Sequence, residues 1–277
     1  MAAPTVCFLL ERGTPPRRNL VIQETISLLE RGGVTVRTQY AEEAVVRLDR
    51  LAVEADLYLL KSNTDLAFSL ATALEAMGAR VLNTCAATWR ARNKVLAAVT
   101  LLRAGLPTPR SVAAGHPAHL RAEVAAHGPL ILKPHRGHYG LGLVVAQTPA
   151  ELPAAEEFAD REVVFAQHYL AGACTSLKVC AIGEGVFGIR KPFVPGNSYA
   201  QGGEPWPLTP EVEELARRTG RAFGLELYGL DLAEGEDGAV WIVDVNAFPG
   251  YRGVPDAARR LADYIRRRAS GWMPVGS

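Results

Sequence analysis

The chain has 277 residues, 48% of them hydrophobic, enough for one large core or two to three small α/β lobes and too many for a disordered chain. Thirty basic side chains against twenty-nine acidic ones leave a net charge of +1, so no global field draws nucleic acid or an anionic membrane. Any anion site has to be built locally. Val6 to Leu10 is apolar, but Glu11, Arg12, Arg17 and Arg18 follow at once, too soon for the apolar segment of a secretion signal. No apolar run approaches the ~20 residues of a membrane span. Cys7, Cys85, Cys174 and Cys180 lack paired spacing and are expected as buried thiols in a cytoplasmic protein.

In chain order, Val6–Leu10 reads as a buried strand, Ile22–Leu29 as a helix, and Val34–Thr38 and Leu57–Leu60 as short strands. Leu66–Met77 is helical up to Gly78, and Val81–Leu82 begins another strand. Strands and helices alternating in this way predict an open parallel sheet over residues 1–90, whose ligands favour the strand C-terminal ends. Ala91–Ala104 predicts a second helical stretch, stopped by Gly105, Pro107 and Pro109. A strand (Leu130–Lys133), a glycine-rich loop, a strand (Leu143–Ala146), a helix (Ala150–Phe158) and a strand (Val163–Gln167) then make a small lid, so that linker helix and lid occupy 91–167.

From 168 to 277 the pattern turns antiparallel. Ser176–Ile182 and Val186–Arg190 flank Gly183-Glu184-Gly185, a hairpin turn by composition. Residues 192–208 are rich in proline and glycine and read as a long functional loop or a linker. An amphipathic helix (Pro210–Phe223), two strands (Tyr228–Ala233 and Val240–Asn246) around Asp237-Gly238, and a closing helix (Pro255–Arg268) complete the chain.

The candidate chemistry concentrates in the last two strands. Residues two apart in a strand share a face, so Asp244 and Asn246 present oxygen donors side by side, and Asp231 on the partner strand is placed to join them. Ordinary strand-end carboxylates would be the plain alternative. Three hard oxygen donors suit Mg²⁺, with Mn²⁺ as a substitute. Lys133 ends a strand and precedes a loop containing His138, Tyr139, Gly140 and Gly142, where backbone amides can approach phosphate oxygens. It is no P-loop, since GxxxxGK[ST] is absent.

Lys94, Lys178 and Arg190 are candidate phosphate cations, the last two interrupting alternating strands. A phosphate-facing placement would make Lys178 and Arg190 the candidate catalytic pair, offsetting charge on the phosphate. Gln167-His168-Tyr169 joins lid to hairpin, either as a structural hinge or as the place where main-chain amides and the Gln167 side chain read an adenine. Phe248-Pro249-Gly250-Tyr251 is a rigid turn expected to put the Tyr251 ring and Arg252 at the site's edge. There is no zinc-like histidine cluster and no GxSxG nucleophile.

Asn93-Lys94 with Gly105-Leu106-Pro107-Thr108-Pro109, then Leu132-Lys133-Pro134 and its loop, then Gln167-His168-Tyr169, then Asp231, Asp244 and Asn246 follow an order that resembles the ATP-grasp enzymes, across residues 90–268. The resemblance implies an ATP-grasp fold: an N-terminal α/β lobe, a small lid lobe and a C-terminal antiparallel lobe, with Mg-ATP held between lobes. In most members a carboxylate is phosphorylated so that an amine can attack it. The glycine loop and Gly105–Pro109 look like amino-acid ligases that add glutamate or lysine. Val243-Asp244-Val245-Asn246, Phe248-Pro249-Gly250-Tyr251 and Leu60-Lys61-Ser62-Asn63-Thr64-Asp65 are similar to inositol trisphosphate kinases.

The expectation is therefore a carboxylate–amine ligase acting on an amino acid or short peptide, with a small-molecule kinase and a silent ATP-binding module as alternatives. Arg17, Lys61, Lys191, Tyr251 and Arg252 are the expected substrate contacts. Neither nucleic acid nor membrane is expected as a partner, and self-association is left open.

Overall fold

The structure is a computed structural model that describes residues 3–12, 19–43, 45–134, 143–153, 163–170, 175–192, 203–235 and 238–271. Strands β1 (Thr5–Leu10), β2 (Thr35–Tyr40), β3 (Leu57–Lys61) and β4 (Val81–Leu82), with helices α1 (Leu20–Arg31) and α2 (Asp65–Ala76), build a parallel sheet of order β2-β1-β3-β4. The helix starts are capped by side chains. Asn19 accepts from the Ile22 amide and Thr64 from the Ala67 amide, each satisfying a donor that the first turn leaves open.

Where one helix is expected over Ala91–Ala104, the chain forms α3 (Cys85–Arg92) and α4 (Lys94–Arg103). Asn93 makes the break. Its backbone is extended (φ −84°, ψ 105°) and its Oδ1 accepts from the Leu96 amide at 3.0 Å, so one residue ends α3 and caps α4. Hydrophobic periodicity is blind to such a break, because it carries on across it.

The lid sheet has order β5-β8-β6-β7, from β5 (Ser111–Ala114), β6 (Leu130–Pro134), β7 (Val144–Ala146) and β8 (Val164–His168), packed by α5 (Arg121–His127). Strand β5 and helix α5 escape the sequence reading, being short and weakly periodic. Of the helix expected over Ala150–Phe158, a 3₁₀ turn at Pro149–Glu151 lies where the expected helix begins, and 154–162 lie outside the described residues.

The third sheet, of order β11-β10-β9-β12-β13, is antiparallel and contains β9 (Thr175–Ile182), β10 (Gly185–Pro192), β11 (Glu204–Trp206), β12 (Leu227–Glu234) and β13 (Val240–Ala247). Gly183 turns the β9–β10 hairpin at φ +57°, and a Cβ there would meet the Tyr264 ring at 2.4 Å, so only glycine fits. Helix α6 (Pro210–Phe223) packs with α3 and α4 on one face, through Ala87, Leu101, Ala216 and Phe223 against Leu177, Leu230 and Ile242. On the other face lie the parallel sheet, α1 and α7 (Ala257–Ala269). Helix α7 begins two residues later than expected, since Asp256 is left-handed (φ 52°). Helices α3 and α4 thus bury against the C-terminal sheet.

Candidate active site

Asp231 and Asp244 sit directly opposite each other on β12 and β13, and Lys178 on β9 is in register with Asp231 on its other side. Cross-strand neighbours share a face, so the three head groups converge. Lys178 Nζ donates to Asp231 Oδ1 at 2.6 Å, and Asn246 Nδ2 donates to Asp231 Oδ2 at 3.1 Å. Lys94, at the first turn of α4, reaches Asp244 Oδ1 at 3.3 Å.

A one-residue bulge follows. Asp231 pairs with Asp244 but Leu232 pairs with Ile242, leaving Val243 as the extra residue. Its carbonyl accepts from Lys133 Nζ at 2.9 Å, which ties the lid to the C-terminal sheet. The same ammonium donates to Gln167 Oε1.

Three lysines therefore face two carboxylates, an excess of one positive charge at the junction of lid and C-terminal lobe. Burial pushes the Lys133 ammonium down to about 8, an effect that nearby Lys94 reinforces and Asp244 and Asp231 offset only in part. Burial alone would raise the Asp244 carboxyl, but Lys94, Lys133 and Lys178 outweigh it and hold the group below its ordinary value. For Lys178 burial is outweighed by Asp231, and its affinity for the proton rises. Such a site favours an incoming anion.

The donor set fits a hard cation. Two carboxylates and a carboxamide offer oxygen only, and the Asn246 nitrogen is committed to Asp231, which leaves its oxygen as donor. Among the described residues no three His, Cys, Asp or Glu side chains converge.

Other expected residues fall elsewhere. Arg190 lies opposite Leu177 while Lys178 lies opposite Ile189, so the two cations leave opposite faces of the sheet. Arg190 pairs with Glu234 at 3.0 Å and stacks 3.8 Å from the Trp206 ring centroid, away from the carboxylates. The donors expected to read an adenine are already committed within the lid. The His168 amide donates to Arg110 O and the Tyr169 amide to Pro129 O, both at 2.9 Å, while the His168 ring meets Glu123. The Tyr169 ring is exposed.

Tyr251 corrects the sequence reading most plainly. Expected at the site's edge, it is 1% exposed, and its hydroxyl donates to Ala181 O in the shared core. Arg252 beside it is partly exposed. Lys61 ends β3 with its ammonium 5.6 Å from the Phe248 ring centroid, and burial lowers it to about 8 against the pull of Glu11. His138, Tyr139, Gly140, Gly142, Arg17 and the Lys191 side chain lie outside the described residues. Sequence reasoning missed Ser111, which holds Gln167, and the Val243 carbonyl. A polar residue in an unrecognised strand and a one-residue register shift leave no periodic trace.

Residues 91–265, more than half of the chain, match the RimK-like ATP-grasp domain. A probable alpha-L-glutamate ligase of Haemophilus influenzae is 26% identical over 223 residues, which span 75% of this chain and 74% of that protein. D-cycloserine synthetase DcsG superposes with a TM-score of 0.76 at 15% identity, covering 95% of this chain and 99% of its own. D-alanyl-alanine synthetase A from Vibrio cholerae gives the same TM-score at 18% identity, covering 98% of each chain. At such identities the two structures establish the fold alone, and it is the ATP-grasp fold. With its lid, its antiparallel sheet and its lysine–carboxylate centre inside the matched segment, this chain belongs to the RimK-like ATP-grasp domain family.

Proposed function

We propose that this protein is an ADP-forming carboxylate–amine ligase that activates a carboxylate as an acyl phosphate and joins it to an amine of an amino acid or short peptide. The observation that carries this reading is the meeting of Lys94, Lys133 and Lys178 with Asp231, Asp244 and Asn246 where lid and C-terminal sheet join. The ligase relatives support it over a kinase. The acceptor's carboxylate oxygen attacks the γ-phosphorus of ATP while the bond to the bridging oxygen of ADP breaks, giving an acyl phosphate. The amine nitrogen then bonds the acyl carbon, inorganic phosphate departs with its oxygen, and the nitrogen loses its proton. Positioning and charge carry such a transfer, so no protein nucleophile is needed.

Lys94, Lys133 and Lys178 neutralise the phosphate oxygens. Asp231, Asp244 and Asn246 are the residues that would hold Mg²⁺, or Mn²⁺ in its place, whose charge would offset that of the phosphates. Lys61 is the candidate anchor for the acceptor's anionic group: it lies at a C-terminal strand end of the parallel sheet, its ammonium 5.6 Å from the Phe248 ring centroid. No described helix is long and apolar enough to cross a membrane, and a cytoplasmic setting agrees with the buried free thiols of Cys7, Cys85 and Cys180.

The test is incubation with Mg-ATP and a pool of amino acids, short peptides and inositol phosphates, following ADP and product mass. Two substrates joined with loss of water is the expected result. A phosphoryl group added to a single substrate would overturn the ligase reading in favour of a kinase.

A further inference from the structure

Gln167 and Ser111 form a directional hydrogen-bond chain behind Lys133. A lysine ammonium only donates, so the carboxamide atom facing it is Gln167 Oε1, and that fixes which way the amide points. Its Nε2 then faces Ser111 Oγ at 3.3 Å, and the Ser111 hydroxyl donates to Pro109 O at 2.9 Å. Gln167 is 4% exposed and engaged at both ends of its amide.

On the far side Lys133 donates to Val243 O. Two of the three ammonium hydrogens thus have fixed acceptors, and tetrahedral geometry leaves one direction for the third. A four-carbon stem is otherwise free to sample many rotamers, and fixing it beforehand removes that cost from ligand binding.

We propose that Gln167 and Ser111 are positioning residues which aim the Lys133 ammonium at the nucleotide's phosphates, and that Gln167 takes no part in reading the base. This rests on the ATP-dependent reading above. It also accounts for a polar serine in the first position of β5 and for a buried amide at the end of β8.

The experiment titrates the full-length protein with Mg-ATP and Mg-ITP, whose bases differ at the exocyclic group, for wild type, Gln167→Leu, Ser111→Ala, Ser111→Thr and Lys133→Ala. Gln167→Leu should weaken both nucleotides by the same factor, about tenfold, and Ser111→Ala both by about threefold, the losses expected for freeing one charged hydrogen-bond donor. Ser111→Thr keeps a hydroxyl and should restore binding. In the Lys133→Ala background neither substitution should add a further loss.

A Gln167→Leu variant that loses its preference for ATP over ITP would overturn the proposal in favour of base reading, and so would variants that bind both nucleotides as wild type does. Should Gln167→Leu fail to fold, the serine pair decides by the same criteria. Wild-type protein that binds neither nucleotide would overturn the ATP-dependent reading itself.

Discussion

Between the parallel sheet and the C-terminal sheet one apolar cluster runs without interruption, joining Phe8, Leu57 and Leu59 to Cys180, Ile189, Leu227 and Phe248. Between the lid and the C-terminal sheet no such cluster exists among the described residues. The lid keeps a core of its own, Leu120, Val124, Leu130, Leu132, Ala146, Val164 and Ala166, and reaches β13 through the Lys133 ammonium. An apolar seam is costly to open and moves as one body, whereas a polar bridge can exchange its partner for water or for phosphate. The dry seam holds the molecule together, and the polar seam is where the proposed chemistry would lie. Substitutions in the two seams should therefore fail in different ways.

The largest effect belongs to the polar seam. Asp244→Asn removes the charge that Lys94 pairs with and a ligand of the proposed metal, while keeping the shape of the side chain. Turnover of Mg-ATP should fall about 10³-fold, the scale of losing a charged group from a phosphoryl-transfer site. The thermal midpoint should fall too, since Lys94, Lys133 and Lys178 stabilise this carboxylate in the fold, but the folded variant should still show the loss of turnover. Unchanged kinetics in the folded variant would refute the metal assignment.

In the dry seam Asn83 does the opposite work. Its Oδ1 accepts from the Glu226 and Leu227 amides at 2.8 and 2.9 Å, and its Nδ2 donates to Leu227 O at 2.7 Å, which staples the N-terminal sheet to β12. Asn83→Ala strands the Glu226 and Leu227 amides, while Leu227 O keeps the Phe248 amide, and should cost about 3 kcal/mol of stability. Urea unfolding measures it. The folded fraction should keep wild-type KM for ATP, and a raised KM with unchanged stability would break the contrast between the seams.

The contrast also explains what the sequence disclosed. Val243-Asp244-Val245-Asn246 was readable because strand alternation converts spacing into facing, and the register places Asp231 and Lys178 where that rule puts them. The same rule, applied across strands, separates Lys178 from Arg190, but only once the hairpin register is known. From the sequence the two cations looked equivalent. Tyr251 was misplaced because an aromatic after a Pro-Gly turn suits a rim as well as a core, and only the third dimension brings Ala181 O within 2.8 Å of its hydroxyl. The lid's polar chain through Ser111 was invisible for a related reason. It links residues far apart in sequence, and no local pattern records a side chain bonded to another strand.

Lys61 lies near the dry seam yet carries a charge, so it tests how dry that seam is. Burial lowers its ammonium to about 8 from an ordinary value of 10.5. A lysine depressed in the folded state destabilises it fully below pH 8, and the penalty is relieved as pH rises from 8 toward 10.5, where the unfolded chain also loses its proton. Lys61→Met should therefore be more stable than wild type at pH 7 by about 2 kcal/mol, allowing for partial exposure, and the gain should shrink across that window. Paired urea titrations at pH 7 and pH 10 decide it. A gain independent of pH would mean that the ammonium is well solvated.

Tyr251→Phe gives the smallest and most discriminating effect. The substitution keeps the ring in the shared core and deletes one buried hydrogen bond, so stability should fall by about 1 kcal/mol. Were the ring at the rim of the site, as the sequence suggested, losing its hydroxyl would act on the acceptor instead, raising its KM with no change in unfolding. The hydroxyl points to β9 and lies 70 residues away in sequence from the carbonyl it meets, so the cost should appear in unfolding alone. A raised acceptor KM at unchanged stability would move Tyr251 from the dry seam to the polar one.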